Sequence, residues 1–170
     1  RVACRVGCEP ARHAGRPDRD PRPRTVVASH CVARTPRPGR DAVIAAVRDA
    51  GVQLIGLNFF AGDLAGPDCG VLSLPARSAE FRDNIDVAVG IGEVLGVPAF
   101  NALYGNRVSE ATPDQQDDLA VENLTLAANA AARIDAKILL EPVSGPKPYP
   151  LRTADDVIAV LDRLDARNVG

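Results

Sequence analysis

A single carboxylate stands at the end of an apolar run in KILLEPVSG, residues 137–145. Ile138, Leu139 and Leu140 lead into Glu141, and Pro142 follows. A short apolar run bounded by a breaker reads as a buried strand. Proline has no backbone donor and a fixed φ, so the strand stops there. Glu141 is then placed at the strand's mouth, where a carboxylate can take up or release a proton. The plainer alternative is a strand-end acid that meets solvent or caps the next loop. Other polar residues gather at comparable places. Asn58 and Asn101 close similar apolar runs, and Asp63, Tyr104 and Asn106 follow them. The two asparagines can hydrogen-bond a hydroxyl or a carboxylate of a substrate, or simply make the turn. Arg77 lies in the long loop after the first clear strand. It can pair with a substrate carboxylate in a bidentate fork, or it can be a solvated surface arginine. Lys147 and Tyr149 fall in the proline-rich stretch after Glu141 and read as plain loop residues, with a lid as the sharper alternative.

The elements that position these residues are regular from Asp41 onward. Asp41–Ala50 carries Val43, Ile44 and Val47 at helical spacing, with Gly51 as a C-terminal stop. VQLIGLNFF (52–60) is a β-rich run. Ser78 is placed to cap a helix with Phe81, Ile85, Ala88, Val89, Gly92 and Leu95 on one face. VPAFNALY (97–104) is the next strand candidate. Thr112, Pro113 and Gln115 combine an N-cap, a first-turn proline and a capping-box partner. The helix they open turns Leu119, Leu124, Ala127, Ala128 and Ala131 inward. Thr153 caps a last helix with Val157, Ile158, Leu161 and Leu164 on one face. Strands that alternate with helices demand parallel pairing and crossovers. The fold class is therefore α/β, either a doubly wound sheet or a (β/α)8 barrel. VGIGEVLG (89–96) has the wrong spacing for a dinucleotide loop and sits inside a helix, so no nucleotide cofactor is expected. Active sites of parallel α/β folds form at the C-terminal ends of the strands, where these polar residues collect.

Composition is uneven along the 170 residues. Residues 1–40 hold ten Arg, no Lys, six Pro and three acids, a charge of 10 − 3 = +7, whereas the rest carries 10 − 19 = −9. Such a stretch buries too little apolar surface to order itself, and only TVVASHCVA (25–33) suits a short strand. Arg, Pro, Ala and Gly all have GC-rich codons, so a shifted reading frame is the favoured origin of residues 1–40. A nucleic-acid-binding arm is disfavoured by the lack of Lys and aromatics. Cys4, Cys8, His13 and His30 match no common zinc spacing. No run reaches membrane length and no apolar leader opens the chain, which points to a cytoplasmic domain.

Five segments carry a family resemblance: GLNFFAGD (56–63), EFRDNIDVAVGIGEVLG (80–96), FNALYGNR (100–107), AVENLTLAA (120–128) and ILLEPVSGPKPYPLRT (138–153). In this order and spacing they resemble the hydroxypyruvate isomerase family of the xylose-isomerase-like barrels. The resemblance implies a partial TIM barrel of three to four βα units over residues 41–170, with 1–40 as an irregular segment. It implies interconversion of hydroxypyruvate and tartronate semialdehyde through an enediolate, with a small keto-acid or sugar as substrate. Glu141 matches the family's glutamate at the end of the fifth strand, so the resemblance implies acid/base or metal-ligand duty there. A divalent metal such as Mg or Mn is implied with it, since oxygen ligands suit such hard ions. The second glutamate and the Asp, His and Gln of the metal site belong to the barrel's second half. The expectation is therefore a fragment, inactive or nearly so unless another chain completes it. Its open sheet edges and apolar face favour self-association. A sister sugar or keto-acid epimerase, and a non-catalytic half-barrel with a basic arm, are the alternatives.

Overall fold

Parallel strands joined by helical crossovers place every strand's C-terminal end at one rim, and this rim holds Asn58, Asn101 and Glu141. The computed structural model describes residues 24–28, 39–143 and 148–170. The elements run β1 (Arg24–Ala28), α1 (Arg40–Asp49), β2 (Val52–Asn58), α2 (Ser78–Leu95), β3 (Ala99–Ala102), α3 (Pro113–Ala132), β4 (Lys137–Leu140) and α4 (Ala154–Leu161). A 3₁₀ turn, Pro75–Arg77, leads into α2. The strands pair in the order β1-β2-β3-β4, all parallel. A doubly wound sheet reverses its strand order at a switch point. This sheet does not, so it is a segment of a (β/α)8 barrel. Its ladder continues past β4: Ile138 N–H donates to Asn168 O at 2.7 Å, Leu140 N–H to Gly170 O at 2.9 Å, and Val169 bridges Ile138 in parallel.

The helices cover one face of the sheet. Leu57, Phe100 and Ile138 lie in register across β2, β3 and β4 and are buried beneath them. Phe100 stacks on Phe59 with centroids 5.1 Å apart, and Phe59 meets Phe81 edge-on at 5.7 Å. Gly92 of α2 lets the helix close down on Phe100, because a Cβ there would stand 2.4 Å from Phe100 Cζ. Strand alternation sends Leu139, the residue after Ile138, to the other face, where it remains 45% exposed. In β2 the register shifts at Ile55, which is 39% exposed.

Helix ends follow the expected chemistry with one exception. Thr112 and Gln115 form the capping box of α3, with hydrogen bonds of 3.2 and 2.9 Å. Thr153 and Asp156 form a second box at α4. Ser78, by contrast, is the first residue of α2 and caps nothing; its hydroxyl meets Asn123 of α3. The strands are shorter than the apolar runs: β2 stops at Asn58, with Phe59 N–H making the last bond to Asn101 O at 3.0 Å, and β3 stops at Ala102. Ala120 replaces Leu119 as a buried residue of α3, and Ile158 of α4 is 50% exposed. The sheet also takes in residues upstream of the expected boundary at 40/41, since β1 pairs with β2. Cys4, Cys8, His13, His30, Cys31 and Lys147 lie outside the described residues.

The α4 box gives a pH prediction. Backbone N–H of Arg152, then the hydroxyl and N–H of Thr153, hold the Asp156 carboxyl below the usual Asp range. A depressed folded-state pKa contributes stability above the unfolded pKa, and that contribution is lost as pH falls through the folded one. Asp156→Asn should therefore destabilise the chain at neutral pH, and the gap to wild type should close below about pH 4. Paired urea titrations at neutral and acid pH read this directly.

Candidate active site

Register alone brings three predicted residues together. Asn58 ends β2 and pairs with Asn101 of β3, and Asn101 pairs with Leu139 of β4. Glu141 follows β4 directly, two residues beyond Leu139, and so projects to the same helix-free face. The contact is direct: Asn101 Nδ2 donates to Glu141 Oε2 at 2.8 Å. The carboxylate thus stands at the strand mouth, open to solvent on one side and fixed by an amide on the other. Asn101 Oδ1 is buried and accepts no hydrogen bond among the described residues. A buried acceptor left over in this way has capacity for a ligand hydroxyl.

The backbone of Glu141 is held as well. Tyr149 is 3% exposed, and its hydroxyl donates to Glu141 O at 3.1 Å while accepting from Tyr104 N–H at 3.0 Å. The Tyr104 hydroxyl in turn donates to the Asp117 carboxylate, which pairs with Arg107 at 2.7 Å. Burial pushes both phenols above their usual range, and for Tyr104 the Asp117 acceptor adds to the rise. Both hydroxyls therefore stay protonated donors at ordinary pH. Arg107 N–H donates to Pro148 O at 2.9 Å, and Val143 N–H to Leu151 O at 2.9 Å, which tie down the two sides of the loop after β4.

A second buried network fixes the loop between β2 and α2. Gln116 and Asn123 are fully buried on the inward stripe of α3, seven residues apart. Gln116 Nε2 donates to Ser73 O at 3.3 Å and to Asn106 O at 3.1 Å; Asn123 Nδ2 donates to Leu72 O at 2.8 Å. Gly70 lets this loop touch the one after β3. Its φ is +102°, and an added Cβ would lie 2.2 Å from Leu103 O. Gly70→Ala should cost on the order of 1–3 kcal/mol or more, since it adds a clash to backbone strain. A urea midpoint within error of wild type would contradict the close packing of these loops.

Arg77 is not brought to Glu141. Its guanidinium pairs with Glu80 and, at 3.4 Å, with Asp68, and lies 5.2 Å from the Phe60 ring centre. Tyr149 was legible as a loop residue, with a lid as the alternative; the one further signal is that it is one of two tyrosines in the chain. Gln116 and Asn123 had a clearer signal, as polar residues on an otherwise apolar helical stripe.

The parallel strand order defines a TIM-barrel segment, and comparison with known proteins agrees. The family model described as xylose isomerase-like TIM barrel matches residues 17–170. The chain belongs to this family. It is 55% identical over 128 residues to a Streptomyces coelicolor protein provisionally named a hydroxypyruvate isomerase, covering 74% of this chain and 46% of that one. It is 34% identical over 87 residues to the hydroxypyruvate isomerase of Escherichia coli K12, covering 51% and 34%. Among solved structures, an AP endonuclease, family 2, from Brucella melitensis superimposes with a TM-score of 0.68 at 21% identity, covering 78% and 52%. The chain thus spans about half the length of the relatives it matches.

The metal expected from the resemblance finds an incomplete set of ligands. Among the described residues no three His, Cys, Asp or Glu side chains converge on one point. Glu141 offers one anionic oxygen donor, and a hard cation needs about six oxygen ligands. No described helix is long and apolar enough to cross a membrane.

Proposed function

We propose that these residues supply one side of an isomerase site that interconverts hydroxypyruvate and tartronate semialdehyde, with Glu141 as the proton-transfer group. The observation that carries this reading is the Asn101–Glu141 pair at the strand mouth. A carboxylate steered by an amide on a solvent-open rim is poised for a small substrate's C–H. The relatives named as hydroxypyruvate isomerases support the choice of substrate.

The bookkeeping of the reaction is simple. Glu141 takes a proton from the hydroxymethyl carbon of hydroxypyruvate. The C–H electron pair forms a C=C bond, and the carbonyl oxygen becomes an enediolate oxygen. A proton returns to the former carbonyl carbon, the other hydroxyl passes its proton to the enediolate oxygen, and an aldehyde beside a new hydroxyl results. Asn101 Oδ1, with its spare acceptor capacity, suits that hydroxyl. A divalent metal here would stabilise the enediolate oxygens. Glu141 would be one ligand, and the described residues leave the others to be supplied from elsewhere.

The test is interconversion of the two acids, followed by proton NMR. The chain is assayed alone and mixed with the remaining half of the Streptomyces coelicolor relative, because it spans 46% of that protein. Interconversion in either preparation is the expected result. Epimerisation of ketoses with no action on hydroxypyruvate would overturn the substrate assignment.

A further inference from the structure

We infer that Tyr149 is a positioning residue for Glu141: its buried hydroxyl locks the glutamate's backbone to the neighbouring strand end and so aims the carboxylate. This inference rests on the reading of Glu141 as the proton-transfer group. β4 ends at Leu140, so no ladder hydrogen bond of that strand fixes the Glu141 carbonyl. The Tyr149 hydroxyl supplies that restraint, donating to Glu141 O at 3.1 Å and accepting Tyr104 N–H at 3.0 Å. One atom therefore joins the chain just past β3 to the chain just past β4. The same two segments carry the Asn101–Glu141 contact on the rim. Glu141 is thus held at two points, by its carbonyl from one side and its carboxylate from the other.

The direction of the bond follows from chemistry. A carbonyl only accepts and an N–H only donates, so the phenol must donate to Glu141 and accept from Tyr104. Burial keeps the phenol protonated, and the lock does not open with pH in the ordinary range. The ring itself is held by packing, being 3% exposed in the core. Phenylalanine fits the same space and removes only the hydroxyl. A small loss of aim is costly in catalysis, because proton transfer depends steeply on the geometry of the reacting atoms.

The experiment compares Y149F, E141Q and the double variant in the assay above. Y149F should lower kcat about tenfold and leave KM within about twofold, since it misaims a group without removing a binding contact. In the E141Q background Y149F should change nothing further, because there is no carboxylate left to aim. Y104F is the control: it breaks the Tyr104–Asp117 bond, keeps the backbone N–H that Tyr149 uses, and should lower the urea midpoint with kcat retained. Wild-type kcat in Y149F, or the same fold loss with and without Glu141, would overturn the inference and leave the catalytic reading standing. Full activity in E141Q would overturn both. Should Y149F not fold, fluorotyrosine labelling of the unsubstituted chain, with its two tyrosines, decides the matter. Binding of hydroxypyruvate should shift the Tyr149 fluorine resonance more than that of Tyr104, and equal or absent shifts would count against the lock.

Discussion

Glu141→Gln should lower kcat/KM for hydroxypyruvate by about 10²–10⁴-fold, the usual weight of one acid/base group. Most of the loss should fall on kcat. The substitution suits the question because glutamine keeps the size of glutamate and still offers an oxygen to Asn101 Nδ2, now 2.8 Å from the carboxylate. The rim geometry survives and only the basic group is lost. Asn101→Ala acts more weakly, since it frees the carboxylate without removing it. Steady-state kinetics of the variant beside wild type give the answer, and circular dichroism confirms an unchanged fold.

Phe100→Ala carries the largest expected effect on stability, about 3–5 kcal/mol. Phe100 is fully buried in β3, between β2 and β4. It stacks on Phe59 and receives the backbone of α2 at Gly92. Truncation leaves a void that its neighbours fill poorly, since a glycine faces it from above and cannot extend into the gap. Domains of this size hold a total of about 5–15 kcal/mol, so this loss is a large share. The urea midpoint should fall accordingly, and a loss under 1 kcal/mol would mean that Phe100 does not anchor the helix layer.

Much of this architecture was legible because it is local. The apolar run ending in Glu141-Pro142 marks a strand and its stop, and Thr112 with Gln115 marks a helix start, all within a few residues of chain. The placement of Asn58, Asn101 and Glu141 at strand ends was visible for the same reason. The pairing of Asn101 with Glu141 was not, because it depends on the β3–β4 register across 40 residues. The contacts of Tyr149 were hidden for a similar reason: its partners are backbone groups, which have no sequence signature. Arg77 reads from the sequence either as a partner for a substrate carboxylate or as a solvated surface arginine, and its pairing with Glu80 and Asp68 became visible only in the fold. The 40/41 boundary was drawn from composition, with TVVASHCVA (25–33) as the one upstream stretch suited to a strand, and β1 (Arg24–Ala28) overlaps its start.

The most direct test of Glu141 as the proton-transfer group is deuterium wash-in. Hydroxypyruvate is incubated in D₂O with the preparation that isomerises it, and the hydroxymethyl protons are followed by NMR. Reading Glu141 as the base predicts exchange at that carbon well above the buffer rate, and a return to the buffer rate in E141Q. Equal enzymatic exchange in E141Q and wild type would show that another group moves the proton.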